Sequence, residues 1–304
     1  MLSFLLRRLI LAACVALTVL TLAFTLTRLS GDLAISIAGP SATEADVAVI
    51  RAAYGLDRPL PEQFIAWIGR AAVGDFGESY FFKSRVSTLI AERMPITLTL
   101  GLVGLAIALT VSIPLGILAA VREGSWVDRL VQLFAMIGQA MPSFWLGLIM
   151  MIFFGLQLGW LPVSGTGSWE HYVMPGTVLA FSAIPALTRL TRSGMIQSLA
   201  SDYIRTARAK GLSRFSILFK HALRNAALPV VSIASVQLGF MLGGSIVIET
   251  VFALHGVGFL AWESITKNDF PVVQAVVLVL AVIYVGLTLL ADLFNAVLDP
   301  RLRR

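Results

Sequence analysis

Six apolar runs, none with a charged residue, constrain this chain more than any other feature. They are Leu9 to Thr27, Met94 to Val121, Leu130 to about Phe154, Val173 to Leu187, Leu228 to Ile248 and Val272 to about Ala291. A helix crossing about 30 Å of hydrocarbon needs about 20 apolar residues at a rise of about 1.5 Å. The runs therefore predict an all-α integral membrane protein with six transmembrane helices. The fourth is the shortest and holds Pro175 and Pro185. Composition agrees, with 58% hydrophobic and 13% charged residues, against about 45–50% and about 25% in a globular domain. Six such runs in 304 residues leave no room for a separate soluble core. An alternative reading makes the first run a cleaved signal peptide, because Arg7 and Arg8 precede it. Nineteen uncharged residues are long for a signal core, and cleavage would leave an odd number of spans.

Orientation follows from the Lys and Arg count of the connections. With the N-terminus inside, the inner segments hold 15 basic residues, among them Arg7, Arg8, Arg122, Arg129, Arg301, Arg303 and Arg304. The outer segments hold 8, of which 7 lie in one long loop with eight acids, where the rule weighs least. An N-in, C-in topology is expected. The net charge of +6 sits beside apolar spans without interleaved aromatics, which does not point to nucleic acid. Cys14 is the single cysteine and cannot make an intrachain disulfide; His171, His221 and His255 are dispersed, so no His/Cys metal cluster is expected.

Three segments organise the chain: an N-terminal transmembrane helix over 1–29, a structured outer loop over 30–93, and a five-helix core over 94–304. In the outer loop Thr43 and Asp46 form a weak capping box. Val47, Ile50 and Tyr54 then share a helical face, which Gly55 can end. Phe64, Ile65, Trp67 and Ile68 mark a second amphipathic helix stopping near Gly74. These apolar faces are expected to cap the outer ends of the spans, with contact to a soluble partner as the other reading.

The core carries its basic residues at about 188–227: Arg189, Arg192, Arg205, Arg208, Lys210, Arg214, Lys220 and Arg224, with Asp202 the only acid among them. Asp202 can start a helix, Gly211 can end it, and Ser213 can cap the next. Ala207, Ala209 and Gly211 are small enough to let another surface approach. Positive-inside charge alone would account for the basicity and needs no partner. The string Thr206-Ala207-Arg208-Ala209-Lys210-Gly211, followed by His221-Ala222-Leu223-Arg224-Asn225, resembles the coupling loop of ABC importer permease subunits. It is most similar to the peptide and nickel permease family. The sugar-type loop differs, with Glu-Ala-Ala where Arg205-Thr206-Ala207 stand here. Further family-like pieces run along the chain: Tyr54 to Pro59, Gly74 to Ser79, Pro142 to Gly147, Gly159 to Pro162, Gly243 to Ser245 and Asp299-Pro300. One departure is Gly31-Asp32-Leu33, where the family has Pro after the Asp.

The resemblance implies the type I ABC importer permease fold and a peptide or peptide-like solute. Arg205, Thr206, Ala207, Arg208, Ala209, Lys210, Gly211 and Leu212 would then couple to an ATPase. It also implies a second homologous permease subunit, two ATP-binding subunits and an extracytoplasmic substrate-binding protein, with the bilayer as the remaining partner. No cofactor is expected on this chain; ATP and Mg would belong to the partner ATPases, because no G-x-x-x-x-G-K-[ST] phosphate loop is present. Catalysis by this chain is not expected.

On the third span Gln132, Met136, Gln139 and Ser143 are spaced 4, 3 and 4 and form one stripe, a possible translocation path or an interhelical hydrogen-bonding face. Pro142 is expected to kink that helix. Gly239-x-x-x-Gly243 on the fifth span suggests close helix packing. An ion-coupled secondary transporter or channel working alone is the alternative function. Glu249 and Asp292 fall at span ends rather than midplane, which disfavours it. An integral-membrane enzyme ranks third, for want of a clustered acid, His or Cys constellation.

Overall fold

The computed structural model describes residues 2–29, 31–39 and 42–298. Asp299-Pro300 and Arg301, Arg303 and Arg304 lie outside the described residues. The helices run α1 Leu2–Leu29, α2 Leu33–Ala38, α3 Glu44–Ala53, α4 Leu60–Ala72, α5 Val86–Val121 and α6 Trp126–Ala140. They continue as α7 Ser143–Met150, α8 Val173–Leu199, α9 Asp202–Ala209, α10 Leu223–Val251, α11 Val257–Thr266 and α12 Phe270–Leu298. A π-helical segment, Met151–Gln157, extends α7, and another, Ser216–Ala222, leads into α10. No strand occurs among the described residues.

Five of these helices are long and apolar enough to cross a bilayer, and the α6–α7 pair makes a sixth if it is one broken span. The third run, Leu130 to Phe154, is bent where Pro142 is expected to kink it, and sharply enough to split it into two helices. Its halves meet at 101° across Met141 and Pro142. Met141 is extended (ψ 128°), as the residue before a proline tends to be. Other helices outrun their apolar cores. The second begins at Val86 rather than Met94, and the fourth reaches Leu199 rather than Leu187.

Two compact units emerge from the packing of the described residues, 98–254 with 286–298, and 2–97 with 255–285. In the first, α8 is the most enclosed helix, with buried residues along its whole length from Met174 to Ser198. It packs on α10, α6 and α7. Its contact with α5 is made by small residues: a Cβ on Gly116 would lie 2.5 Å from that of Thr191, and one on Gly176 would lie 2.7 Å from Val103. The Gly243 of the suggested packing motif meets nothing within 4 Å inside this chain. Gly239 is buried, so the motif packs within the chain at one of its two glycines, and glycines of α5 and α8 supply further close contacts.

In the second unit the outer segment is largely as expected. Thr43 and Asp46 make a reciprocal capping box, with the Thr43 N–H donating to Asp46 at 2.9 Å. Gly55 and Gly74 sit just past the ends of α3 and α4 with φ of 62° and 78°. Phe64 and Trp67 of α4 pack on Phe24 of α1, with ring centroids 5.2 and 6.1 Å apart, so α4 caps one end of α1. Sequence reasoning missed α11. Its first N–H, from Val257, donates to the Thr97 hydroxyl at 2.8 Å, a cap supplied from 160 residues away. The buried Asp269 carboxylate accepts from the Ser79 hydroxyl and, at 3.2 Å, from the N–H groups of Tyr80 and Phe81. It thereby fixes the turn before α5 to the turn before α12.

Candidate functional site

The basic connection between α8 and α10 holds α9, a short helix with a sealed inner face, then a turn at Gly211 and the π-helical segment Ser216–Ala222. Ser201, not Asp202, is the N-cap residue of α9, and Asp202 takes the first helical position. There its carboxylate favours the helix N-terminus and pairs with Arg205 at 3.2 Å. Both side chains are at least 80% exposed, so the pair adds little to stability. The helix ends in a Schellman motif: the Gly211 N–H donates to the Arg208 carbonyl at 3.0 Å and the Leu212 N–H to that of Ala207 at 3.3 Å. Gly211 has φ 71° and open space around its missing Cβ. Glycine is required there by the backbone, not by crowding. Ser213 then caps the following turn, accepting from the Ser216 N–H at 3.3 Å.

Two residues anchor this helix. Ile204 is fully buried and Ala207 nearly so, in a cluster with Ile117 and Ala120 of α5, Met195 of α8, Ile217 and Ala222 of the π-helical segment, and Ala226 at the start of α10. Burying Ile204 alone contributes about 2 kcal/mol. Displacement of α9 therefore acts on the ends of three long helices at once, since packed interiors transmit strain. The opposite face is open: Asp202, Tyr203, Arg205, Thr206, Arg208, Ala209, Lys210, Gly211 and Leu212 are all exposed. Ala207 departs from the expectation. It was read as part of an approachable outer surface, and its small size serves packing against the chain's own core instead. Arg189 and Arg192 also fall outside the loop, on the extended last turns of α8.

Arg192 has a partner that sequence reasoning did not single out. Its guanidinium donates to both carboxylate oxygens of Asp128, at 2.7 and 2.6 Å. Asp128 is buried and also accepts from the Gly124 N–H at 3.0 Å and from the Gln132 amide at 2.9 Å. This network ties the α5–α6 turn and the start of α6 to α8. The clue in the sequence was Ser125 three residues before Asp128, an N-cap spacing; the Ser125 hydroxyl accepts from the Asp128 N–H at 3.4 Å.

The polar stripe of the third span is only partly assembled. Gln132, Met136 and Gln139 lie on α6 and are exposed, with Gln132 held by Asp128. Ser143 starts α7 beyond the break, so it does not continue the row. Glu249, near the end of α10, is fully buried and accepts from the Ser245 hydroxyl at 2.8 Å. Among the described residues no group of three or more His, Cys, Asp or Glu could hold a metal ion.

Comparison with known proteins shows the family to which the chain belongs. Residues 112–304 match the family described as binding-protein-dependent transport system inner membrane component, and residues 1–101 match its N-terminal region. The chain belongs to that family and is a multi-pass inner-membrane component. It is 39% identical to the Probable peptide ABC transporter permease protein y4tP of Sinorhizobium fredii, over 99% of both chains. It is 40% identical to the glutathione transport system permease protein GsiC of Salmonella typhimurium, over 100% of this chain and 99% of the relative. GsiC of Escherichia coli K12 is also 40% identical, over 90% of each. Among solved structures the fold is similar to a chain of the MetNI methionine ABC transporter in an inward-facing conformation. That likeness has a TM-score of 0.58 at 20% identity and covers 69% of this chain and 96% of the other.

Proposed function

We propose that this chain is the membrane-spanning permease subunit of an ATP-driven importer for short peptides or peptide-like solutes. Its termini and α9 would lie in the cytoplasm. α9 would dock on a separate ATPase through Arg205, Thr206, Arg208, Ala209, Lys210, Gly211 and Leu212, with Ala207 beneath them as the anchor. A second permease, two ATP-binding subunits and an extracytoplasmic binding protein would complete the assembly, with ATP and Mg held by the ATPases. Gln132, Met136 and Gln139 would face the path of the solute. The peptide and glutathione permeases among its relatives support this substrate class.

One observation carries the reading: α9 is exposed and basic on one face and plugged by Ile204 and Ala207 into three helix ends on the other. A segment so built suits force transfer better than chemistry. The test is Gly211→Trp in the reconstituted complex. The Cβ meets no neighbour, but a Trp side chain strains the left-handed backbone there, so Gly211→Trp should distort the turn after α9 while the spans still insert, and solute-stimulated ATP hydrolysis and uptake should separate. Gly211→Asn tolerates the left-handed backbone and should remain close to wild type. Unchanged uptake by Gly211→Trp counts against docking at this point. Uptake by the chain alone, driven by an ion gradient and indifferent to ATP, would favour the secondary-transporter reading.

A further inference from the structure

The second compact unit contains two adjoining hollows of opposite character. The first, of about 330 Å³, is polar and is lined by Arg28, Arg58, Arg70 and Tyr80, with Glu62 and Glu78 also on its wall. The second, of about 260 Å³, is an apolar crevice between α1 and α12, lined by Val19, Leu22, Leu26, Val273 and Val277. Gln274 borders both, and the consecutive residues Thr27 and Arg28 line the crevice and the polar hollow respectively. The Gln274 amide donates to the Thr27 hydroxyl, so the two helices are held together where the hollows meet. Arg28 stands at the end of the first candidate span, Ile10–Leu29, where a membrane gives way to water.

Two polar atoms here are left over. The Arg28 Nε is buried without a hydrogen-bond partner, and so is the Gln63 Oε1. The Gln63 amide nitrogen is already spent on the Leu56 and Arg58 carbonyls, at 3.2 and 2.8 Å. Buried donors and acceptors are normally satisfied, so an unmatched donor and an unmatched acceptor on two residues lining the same hollow point to a ligand offering both. Burial and the neighbouring Tyr54 push the Tyr80 phenol up to about 12. Tyr80 therefore stays a neutral O–H donor at physiological pH.

We infer that this pair of hollows holds one glycerophospholipid, its phosphodiester on Arg28 beside Tyr80 and an acyl chain in the α1–α12 crevice. The apolar continuation distinguishes it from a site for a free anion. Arg58 and Arg70 on the wall add to the attraction for phosphate, while Glu62, Glu78 and the Gln63 carbonyl suit the hydroxyl or amine of a head group. The inference needs only that α1 and α12 cross the bilayer, and it stands whether or not α9 docks an ATPase.

The test is native mass spectrometry on the full-length chain, stripped of lipid in detergent and exposed to phosphatidylglycerol or phosphatidylethanolamine. One lipid per chain should survive activation that removes the rest. Arg28→Gln should lower the retained fraction roughly ten-fold, the loss of a charge-assisted contact. Val273→Phe fills the crevice without touching Arg28 and should lower retention as well. Glycerol phosphate, a head group without chains, should not compete. Thermal unfolding followed by circular dichroism checks that each variant is folded; if Arg28→Gln is not, Val273→Phe carries the test. Retention unaffected by a folded variant, or displacement of lipid by glycerol phosphate, overturns the inference.

Discussion

Helix α8 and the α6–α7 pair each contain a proline within an apolar run, and they treat it in opposite ways. Pro185 lies inside an unbroken helix, whereas Pro142 marks a 101° break. A proline removes one helix hydrogen bond and crowds the carbonyl four residues earlier. What differs is the surroundings. Pro185 is buried, neighbouring Ile184 and Leu187 are buried too, and the Ser112 hydroxyl of α5 donates to the Ile184 carbonyl at 3.3 Å. Around Pro142, Ile137, Phe144 and Trp145 are all exposed. Burial around Pro185 keeps α8 continuous through its proline; with exposed neighbours, α6 and α7 part. Membrane prolines of this kind are tolerated where neighbours re-satisfy the backbone. By shape α8 is a strut and the α6–α7 break a joint, and the two are tied by the Arg192–Asp128 pair.

That contrast can be broken experimentally. The largest effect should come from Arg192→Ala, which strands a buried carboxylate and should destabilise the protein by about 3 kcal/mol, read as a shift in unfolding in mixed micelles. Replacing both partners, Arg192→Met with Asp128→Leu, should recover most of that loss. Next is Gly116→Leu, which drives side-chain atoms into Thr191 on the strut and should cost about 1–3 kcal/mol in the same assay. If the strut instead shifts freely, the cost will vanish. Pro142→Ala should straighten the joint, seen as a longer distance between spin labels at Leu133 and Leu148. Pro185→Ala should leave label distances along α8 unchanged. The smallest effect belongs to Arg205→Gln, which removes the exposed pair with Asp202 and should change stability by less than about 0.5 kcal/mol. The same substitution should still weaken ATPase stimulation, since it alters the docking face without touching the anchor.

How much of this was legible in the sequence follows from where each signal resides. Apolar runs reveal the existence of spans because hydrocarbon demands them. They do not reveal where helices end, because a helix can continue into water once its charges are matched. Arg93, read as lying before the second span, is inside α5, where it pairs with Glu263 at 3.6 Å and lies over the Phe82 ring at 5.2 Å. Arg192, read as loop, is inside α8 for the same reason. Local devices such as the Thr43 cap and the Gly211 turn were readable, since all their partners lie within a few residues. The Thr97 cap on α11, the Asp128 network and the two-sided character of α9 depend on residues distant in the chain. The spacing of Ile204 and Ala207, three apart on one face of α9, carries the inward signal, which the basic residues around them mask.

The central proposal is that α9 and its C-cap Lys210 face the cytosol as a docking surface. The direct measurement is labelling of Lys210→Cys, in a Cys14→Ser background, with a membrane-impermeant maleimide. Inverted vesicles stripped of ATPase subunits should label fully, inverted vesicles carrying the assembled complex should be protected, and right-side-out vesicles should not label. Labelling of right-side-out vesicles, or equal labelling with and without the ATPase, would contradict it.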